Sequence, residues 1–410
     1  MASQVSATAR WLPLSLTALA VAAAVSVTPP TAAAAPQRAA AAAGTADDSF
    51  YVPPAVLPPG QPGDIIRSRP AKPGPPTAQQ LANAWQVMYL STGAKGERSA
   101  VTGTVLLPKG VNAATAQVVG FGPGTHGPAA KCAPSKMIDG GYFYEQPAVN
   151  DMLRAGYIVA VSDYQGYHPQ PATRYMVGNV QGAAVIDGVR AAQRLPEVGA
   201  SPSAKVAFRG YSQGGGAAMW AGEMQPEYAP ELKLVGVAAG GVPADLVNVG
   251  LQLDGGPGFG FLFYAFIGFD NAFPELDLEG SLNDQGKAVL AEMNSGACTM
   301  ELLTEYAGRK IADLSTENFI LEPDWNQRWE ESKLGKKPIN VPVYQYHATA
   351  DELVQFKQAQ TLRSTYCGKG MNVTWKTFDS GHLKPIYHGN AGAQAFLADR
   401  FAGKPATSNC

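Results

Sequence analysis

Residues 205–222 read K-V-A-F-R-G-Y-S-Q-G-G-G-A-A-M-W-A-G: an apolar run, a G-x-S-x-G pentapeptide built on Gly210, Ser212 and Gly214, then small and apolar residues. Residues 205–209 predict a strand and residues 213–224 a helix, so the pentapeptide falls on the turn between them. A serine raised on such a turn is a nucleophile elbow. Its backbone is strained, and glycines flank it because side chains there would collide across the turn. The amino end of the helix also aims its dipole at the serine, where negative charge would develop. A Gly/Ser turn opening an ordinary helix shares the spacing, but the flanking strand and helix favour the elbow.

Outward from the elbow, short apolar runs at residues 84–90, 99–107, 117–121, 157–162, 234–239, 341–347 and 373–377 predict further strands. Residues 178–194 have helical periodicity, with Val180, Ala184, Ile186 and Val189 on one face and Pro196 as a stop. This alternation predicts an α/β fold of the α/β-hydrolase type, a mostly parallel central sheet with helices on both faces. Between Pro243 and Pro338 the alternation fails. That stretch opens with F-G-F-L-F-Y-A-F-I-G-F at residues 259–269 and continues with polar helical segments. Residues 243–338 are therefore expected to be an inserted cap or lid, leaving residues 77–242 and 339–410 as the core. Residues 36–76, rich in Ala, Pro and Gly, read as a linker and extended N-terminal arm, with regular structure starting near Ala82.

The chain has 410 residues, 46% hydrophobic and 16% charged, with a net charge of -2. Without a basic field, nucleic-acid binding is excluded as a function class. Arg10, an apolar run over residues 11–27 and small residues at 31–35 have the order of a secretory signal, with cleavage expected near Ala35. An uncleaved anchor would need a longer core, and Thr28-Pro29-Pro30 closes this one. No stable transmembrane span is expected. Export makes the four cysteines, an even number without a C-x-x-C pair, read as two disulfides. Spacing does not choose among the three connectivities.

A serine nucleophile needs a base and an orienting carboxylate, in the chain order Ser, acid, His. His382, in D-S-G-H after the last predicted strand, is the expected base. His388 is the reserve, and His347, near the end of its own strand, reads as structural. Asp351, on the loop after residues 341–347, is the expected acid. The adjacent Glu352 reads as solvated or a substitute, and Asp163, upstream of the serine, as structural. Oxyanion donors are expected from the N–H of Gln213 and from the turn G-P-G-T-H-G at residues 122–127, with Thr125 favoured over Gly124. His126 and His168 read as isolated polar loop residues. No metal is required, and no dinucleotide fingerprint appears: the glycines of residues 255–260 lack a strand–helix setting.

At these residues the chain resembles the secretory lipase family of α/β hydrolases. The likeness runs from F-Y-V-P-P at Phe50 through G-D-I-I-R (63–67), the G-T pair and C-A-P-S (132–135). It continues through S-D-Y-Q-G (162–166), G-Y-S-Q-G-G, A-A-G-G-V-P-A-D-L (238–246) and the Asp351 and His382 loops to the C-terminal cysteine. The resemblance implies a secreted, extracellular triacylglycerol lipase or carboxylesterase with a Ser212–His382–Asp351 triad and no cofactor. Its expected partner is a lipid or ester substrate, met at a lipid–water interface. It also implies the disulfides Cys132–Cys298 and Cys367–Cys410. One departure is Pro123, where such proteins often carry a histidine before the G-T pair. The aromatic run has two readings, core packing of the cap or an apolar lining for acyl chains. The same triad can also serve a peptidase or acyltransferase, and a binding protein can keep an inactive hydrolase scaffold.

Overall fold

In the computed structural model, which describes residues 48–410, nine strands form one sheet. The expected signal segment and the start of the linker lie outside the described residues. The strands are β1 (Ile65–Ala71), β2 (Ala82–Thr92), β3 (Arg98–Pro108), β4 (Val118–Gly122), β5 (Ile158–Gln165), β6 (Lys205–Tyr211), β7 (Lys233–Gly240), β8 (Val343–Ala348) and β9 (Val373–Phe378). Their spatial order is β1-β2-β3-β5-β4-β6-β7-β8-β9. β1, β2, β3 and β5 pair antiparallel, while β5, β4, β6, β7, β8 and β9 run parallel.

The inner parallel strands β4, β5, β6 and β8 are buried along both faces because both faces are covered. Val206 and Phe208 of β6 join the core under the helices Gly178–Arg194, Gln213–Tyr228 and Phe356–Gly368. Ala207 and Tyr211 point the other way, into a core closed by the helices Gln146–Arg154 and Asn390–Phe401. Strand alternation thus sends successive residues to opposite layers.

The N-terminal arm corrects the expectation that regular structure begins near Ala82. Residues 65–71 pair with β2 as an edge strand, and the helix Pro76–Leu81 follows. β1 is only half-buried and contains two arginines and Pro70, so no apolar alternation marks it. Such composition suits a sheet edge, where one row of backbone groups faces outward.

Between β7 and β8 the chain forms the helices Leu246–Leu253, Phe259–Ala272, Asp284–Gly296, Thr299–Thr304 and Pro323–Glu331, with shorter turns. They share a core with Tyr175, Met176, Val177, Val180, Leu353 and Val354. Phe259, Phe263, Phe266 and Phe269 are buried in it. Phe266 meets Phe319, Trp325 and Trp329 edge-on, with ring centroids 5.2, 5.6 and 5.7 Å away. Truncating this ring removes contacts that no neighbour can replace. Phe266→Ala should lower stability by about 3–5 kcal/mol, measured as a shift in the denaturant midpoint at unchanged slope.

Candidate functional site

The turn after β6 holds Ser212 at φ 57° and ψ -121°, a backbone conformation that side-chain-bearing residues rarely adopt. Two contacts explain the flanking glycines. A Cβ on Gly210 would lie 2.2 Å from the Gly214 carbonyl oxygen, and one on Gly214 would lie 1.8 Å from that of Gly122. The Ser212 N–H donates to the Gly240 carbonyl at 2.9 Å, tying the turn to β7.

Asp351 follows β8 and His382 follows β9, so both reach the serine from carboxyl ends of parallel strands. Ser212 Oγ lies 3.0 Å from His382 Nε2, and His382 Nδ1 lies 2.7 Å from Asp351 Oδ2. The other Asp351 oxygen accepts the N–H groups of Leu353 at 3.0 Å and Val354 at 2.7 Å. Burial pushes the Asp351 carboxyl up, but the charge and hydrogen bond of His382, the His347 ring and the Val354 N–H together hold it below the usual carboxylate range. Glu352 Oε2 accepts the His382 N–H at 3.0 Å, and the Tyr211 hydroxyl donates to the His382 carbonyl at 2.6 Å. Glu352 therefore holds the histidine loop instead of facing solvent alone.

His347 is buried and donates Nε2–H to the Val354 carbonyl at 2.8 Å, with Asp351 Oδ2 at 3.3 Å. His388 is exposed at the end of the helix Lys384–His388. Asp163 is buried, accepting the Ser135 N–H and the hydroxyls of Ser135 and Thr102. His126 corrects the expectation of an isolated polar loop residue. It is buried and stacks on Phe143 and Tyr144, with centroids 5.2 and 4.8 Å away. Sequence gives no sign of this, because the rings come from a separate segment.

Thr125 and Gln213 both line the cavity that opens over Ser212. Gln213 is the first residue of its helix, so its N–H has no acceptor within the helix. The Gly124 N–H is taken by Glu145 Oε2 at 2.7 Å. The Thr125 N–H meets no acceptor among the described residues, while its hydroxyl bonds Tyr175 at 2.8 Å and its carbonyl accepts from Thr299 Oγ1 at 2.6 Å. The cavity measures about 520 Å³. Its walls are mostly apolar and include Phe261, Leu262 and Ala265, so the aromatic segment divides between core packing and cavity lining.

Disulfides join Cys132 to Cys298 and Cys367 to Cys410. Among the described residues no group of three or more His, Cys, Asp or Glu is arranged to hold a metal ion, and no helix is long and apolar enough to cross a membrane.

The family model described as secretory lipase matches residues 141–409. Lipase 10 of Candida albicans is 30% identical over 88% of this chain and 82% of its own length. The secreted triacylglycerol lipase LIP7 of Malassezia globosa is also 30% identical, over 88% of this chain and 80% of its own. Among solved structures, Candida antarctica lipase A superposes with a TM-score of 0.80 at 26% identity, covering 88% of this chain and 87% of that one.

Glu145 is a site residue that the sequence reading missed, and it makes the fold pH-sensitive. Burial raises its carboxyl from 4.5 to about 8, against the Gly124 N–H, the Arg209 charge and the Tyr144 hydroxyl, which all lower it. Between these two values the folded chain keeps a proton that the unfolded chain has released. Stability therefore falls as pH rises across that window and levels off above it. Glu145→Gln removes the titration and keeps an acceptor for Gly124. Denaturant midpoints from pH 5 to 8 should fall more steeply for the wild type than for this variant, and parallel profiles would contradict the assignment.

Proposed function

The chain belongs to the secretory lipase family, a secreted carboxylic ester hydrolase, and we propose that it cleaves triacylglycerols and related acyl esters through Ser212, His382 and Asp351. The observation that carries this reading is the hydrogen-bonded row Ser212–His382–Asp351, whose Ser212 and His382 line an apolar cavity that Thr125 and Gln213 also line.

His382 Nε2 takes the Ser212 hydroxyl proton as Oγ attacks the ester carbonyl, and Asp351 holds Nδ1–H and steadies the imidazolium. The carbonyl oxygen becomes an oxyanion facing the Gln213 and Thr125 N–H groups, with the helix amino terminus beneath. The imidazolium returns its proton to the departing alcohol, leaving an acyl group on Ser212. Water then enters, gives a proton to His382 and attacks the acyl carbon; the imidazolium returns that proton to Ser212 Oγ as the acid leaves. The acyl chain lies along the apolar wall, and the helical insertion serves as the cap over it.

Exposed apolar side chains favour action at a lipid–water interface. Leu251 is 74% exposed, Met300 64% and Tyr142 62%, and Leu383 and Tyr387 stand exposed beside the cavity they help line. The helix Leu246–Leu253 lines the cavity with Leu246, Val249, Gly250 and Leu253 while presenting Val247 and Leu251 outward. An exposed apolar rim around a site marks a surface for a lipid partner.

Two experiments test this reading. Ser212→Ala should lower hydrolysis of p-nitrophenyl esters from acetate to palmitate by at least about a thousandfold, and a fluorophosphonate probe should label only the wild type. Unchanged hydrolysis in the variant would reject the mechanism, and an unlabelled wild type would favour an inactive binding scaffold. The double variant Val247→Glu, Leu251→Glu should slow hydrolysis of an emulsified long-chain triacylglycerol by about tenfold or more while leaving soluble p-nitrophenyl acetate unaffected. Equal effects on both substrates would remove the interfacial role.

A further inference from the structure

His126 is a buried imidazole with one ring nitrogen paired and the other unpaired. The ring is buried between Phe143 and Tyr144, and its Nε2 has no hydrogen-bond partner among the described residues. Burial lowers its basicity to about 4, so it packs as a neutral imidazole. A phenylalanine would stack as well and leave no buried nitrogen unpaired. What the imidazole has and phenylalanine lacks is Nδ1–H, which donates to the Gly124 carbonyl at 2.8 Å.

That carbonyl belongs to the peptide group that carries the Thr125 N–H. The backbone has no cis peptide among the described residues, and a trans peptide is planar with its C=O and N–H pointing oppositely. A donor seated on the Gly124 oxygen therefore fixes the direction in which the Thr125 N–H points. The neighbouring planes are held separately: the Gly124 N–H by Glu145 at 2.7 Å, and the Thr125 carbonyl by Thr299 Oγ1 at 2.6 Å. His126 is the side chain that grips the plane between them.

We propose that His126 is a positioning residue for ester hydrolysis, whose Nδ1–H locks the Gly124–Thr125 peptide so that the Thr125 N–H is preset toward the oxyanion. The inference rests on the proposed role of Thr125 as oxyanion donor. Preorganised donors act because they need no reorientation as charge appears, so loosening one affects the transition state more than substrate binding.

The test compares the wild type with His126→Phe and His126→Asn, using a soluble p-nitrophenyl ester, thermal melting and reversible inhibition by an alkyl boronic acid, which forms a tetrahedral adduct on serine. His126→Phe keeps the ring and loses the donor. It should still fold and melt cooperatively, lose kcat by about tenfold with little change in KM, and bind the boronic acid more weakly in proportion. His126→Asn, whose amide can reach the same carbonyl, should recover most of the loss. Wild-type kcat in His126→Phe, or a fall in kcat that the asparagine does not relieve, would overturn the proposal. So would a His126→Phe chain that fails to fold, since the residue would then be structural. A wild type that neither hydrolyses esters nor binds the boronic acid would instead sink the underlying triad reading.

Discussion

The approach of Gly214 to the Gly122 carbonyl is the constraint on which the site depends. β4 and β6 are neighbours in the parallel sheet, with Gly122 opposite Gly210, so the turns that leave them must touch. The contact is possible only without a side chain, since a Cβ on Gly214 would overlap the Gly122 oxygen. Because the two turns touch, Ser212 after one strand and Thr125 after the other line the same cavity. Any side chain at Gly214 would push the proposed nucleophile away from its oxyanion donors, whatever the rest of the sheet did.

Most of this frame was legible in the sequence because it is carried by local pattern. Eight strands appear where short apolar runs stand between turn residues, and they are displaced by no more than a few residues at their ends. The triad candidates could be chosen because each follows one of those strands. The hidden parts depend on contacts between distant segments. β1 is recognisable only once β2 offers its edge, since its own residues carry no apolar alternation. His126 looked like a polar loop residue because Phe143 and Tyr144 arrive from seventeen and eighteen positions away. Spacing left the cysteine pairing open, and the pairing implied by family resemblance is the one present. Thr299 gave no signal of its own; it reaches Thr125 because Cys298 beside it is bonded to Cys132.

Burial sorts the acids around the site by charge. Asp351 keeps its negative charge because His382, His347 and backbone N–H groups surround it. Glu145, one peptide away from Thr125, lies in a setting that raises it to about 8. In a low-dielectric interior, a second carboxylate beside the proposed oxyanion site would oppose an oxyanion strongly. A protonated Glu145 can accept the Gly124 N–H without adding that repulsion. Asp351 and Glu145 thus differ in charge because one is surrounded by donors and the other mainly by packed side chains.

The helical insertion is fastened at both sides of the Ser212–His382–Asp351 row. On one side, Thr299 holds the Thr125 carbonyl, and Cys298 is bonded to Cys132. Gly127 passes so close to Ala297 and Cys298 that a Cβ there would lie 2.5 and 2.6 Å from their atoms. On the other side, the Gln252 amide donates to the Asp351 carbonyl at 2.9 Å, and Leu353 and Val354 are buried in the insertion's own core. A rigid swing of the whole insertion would have to break the Gln252 and Thr299 bonds and pull apolar side chains from Leu353 and Val354, and the disulfide would still anchor one end. Rearrangement of exposed rim side chains such as Met300, Leu383 and Tyr387 breaks none of these ties. The architecture therefore separates an exposed mouth from a fixed floor: the groups proposed to meet the reacting carbonyl are braced from two directions, while Met300 and Leu383 at the rim face solvent.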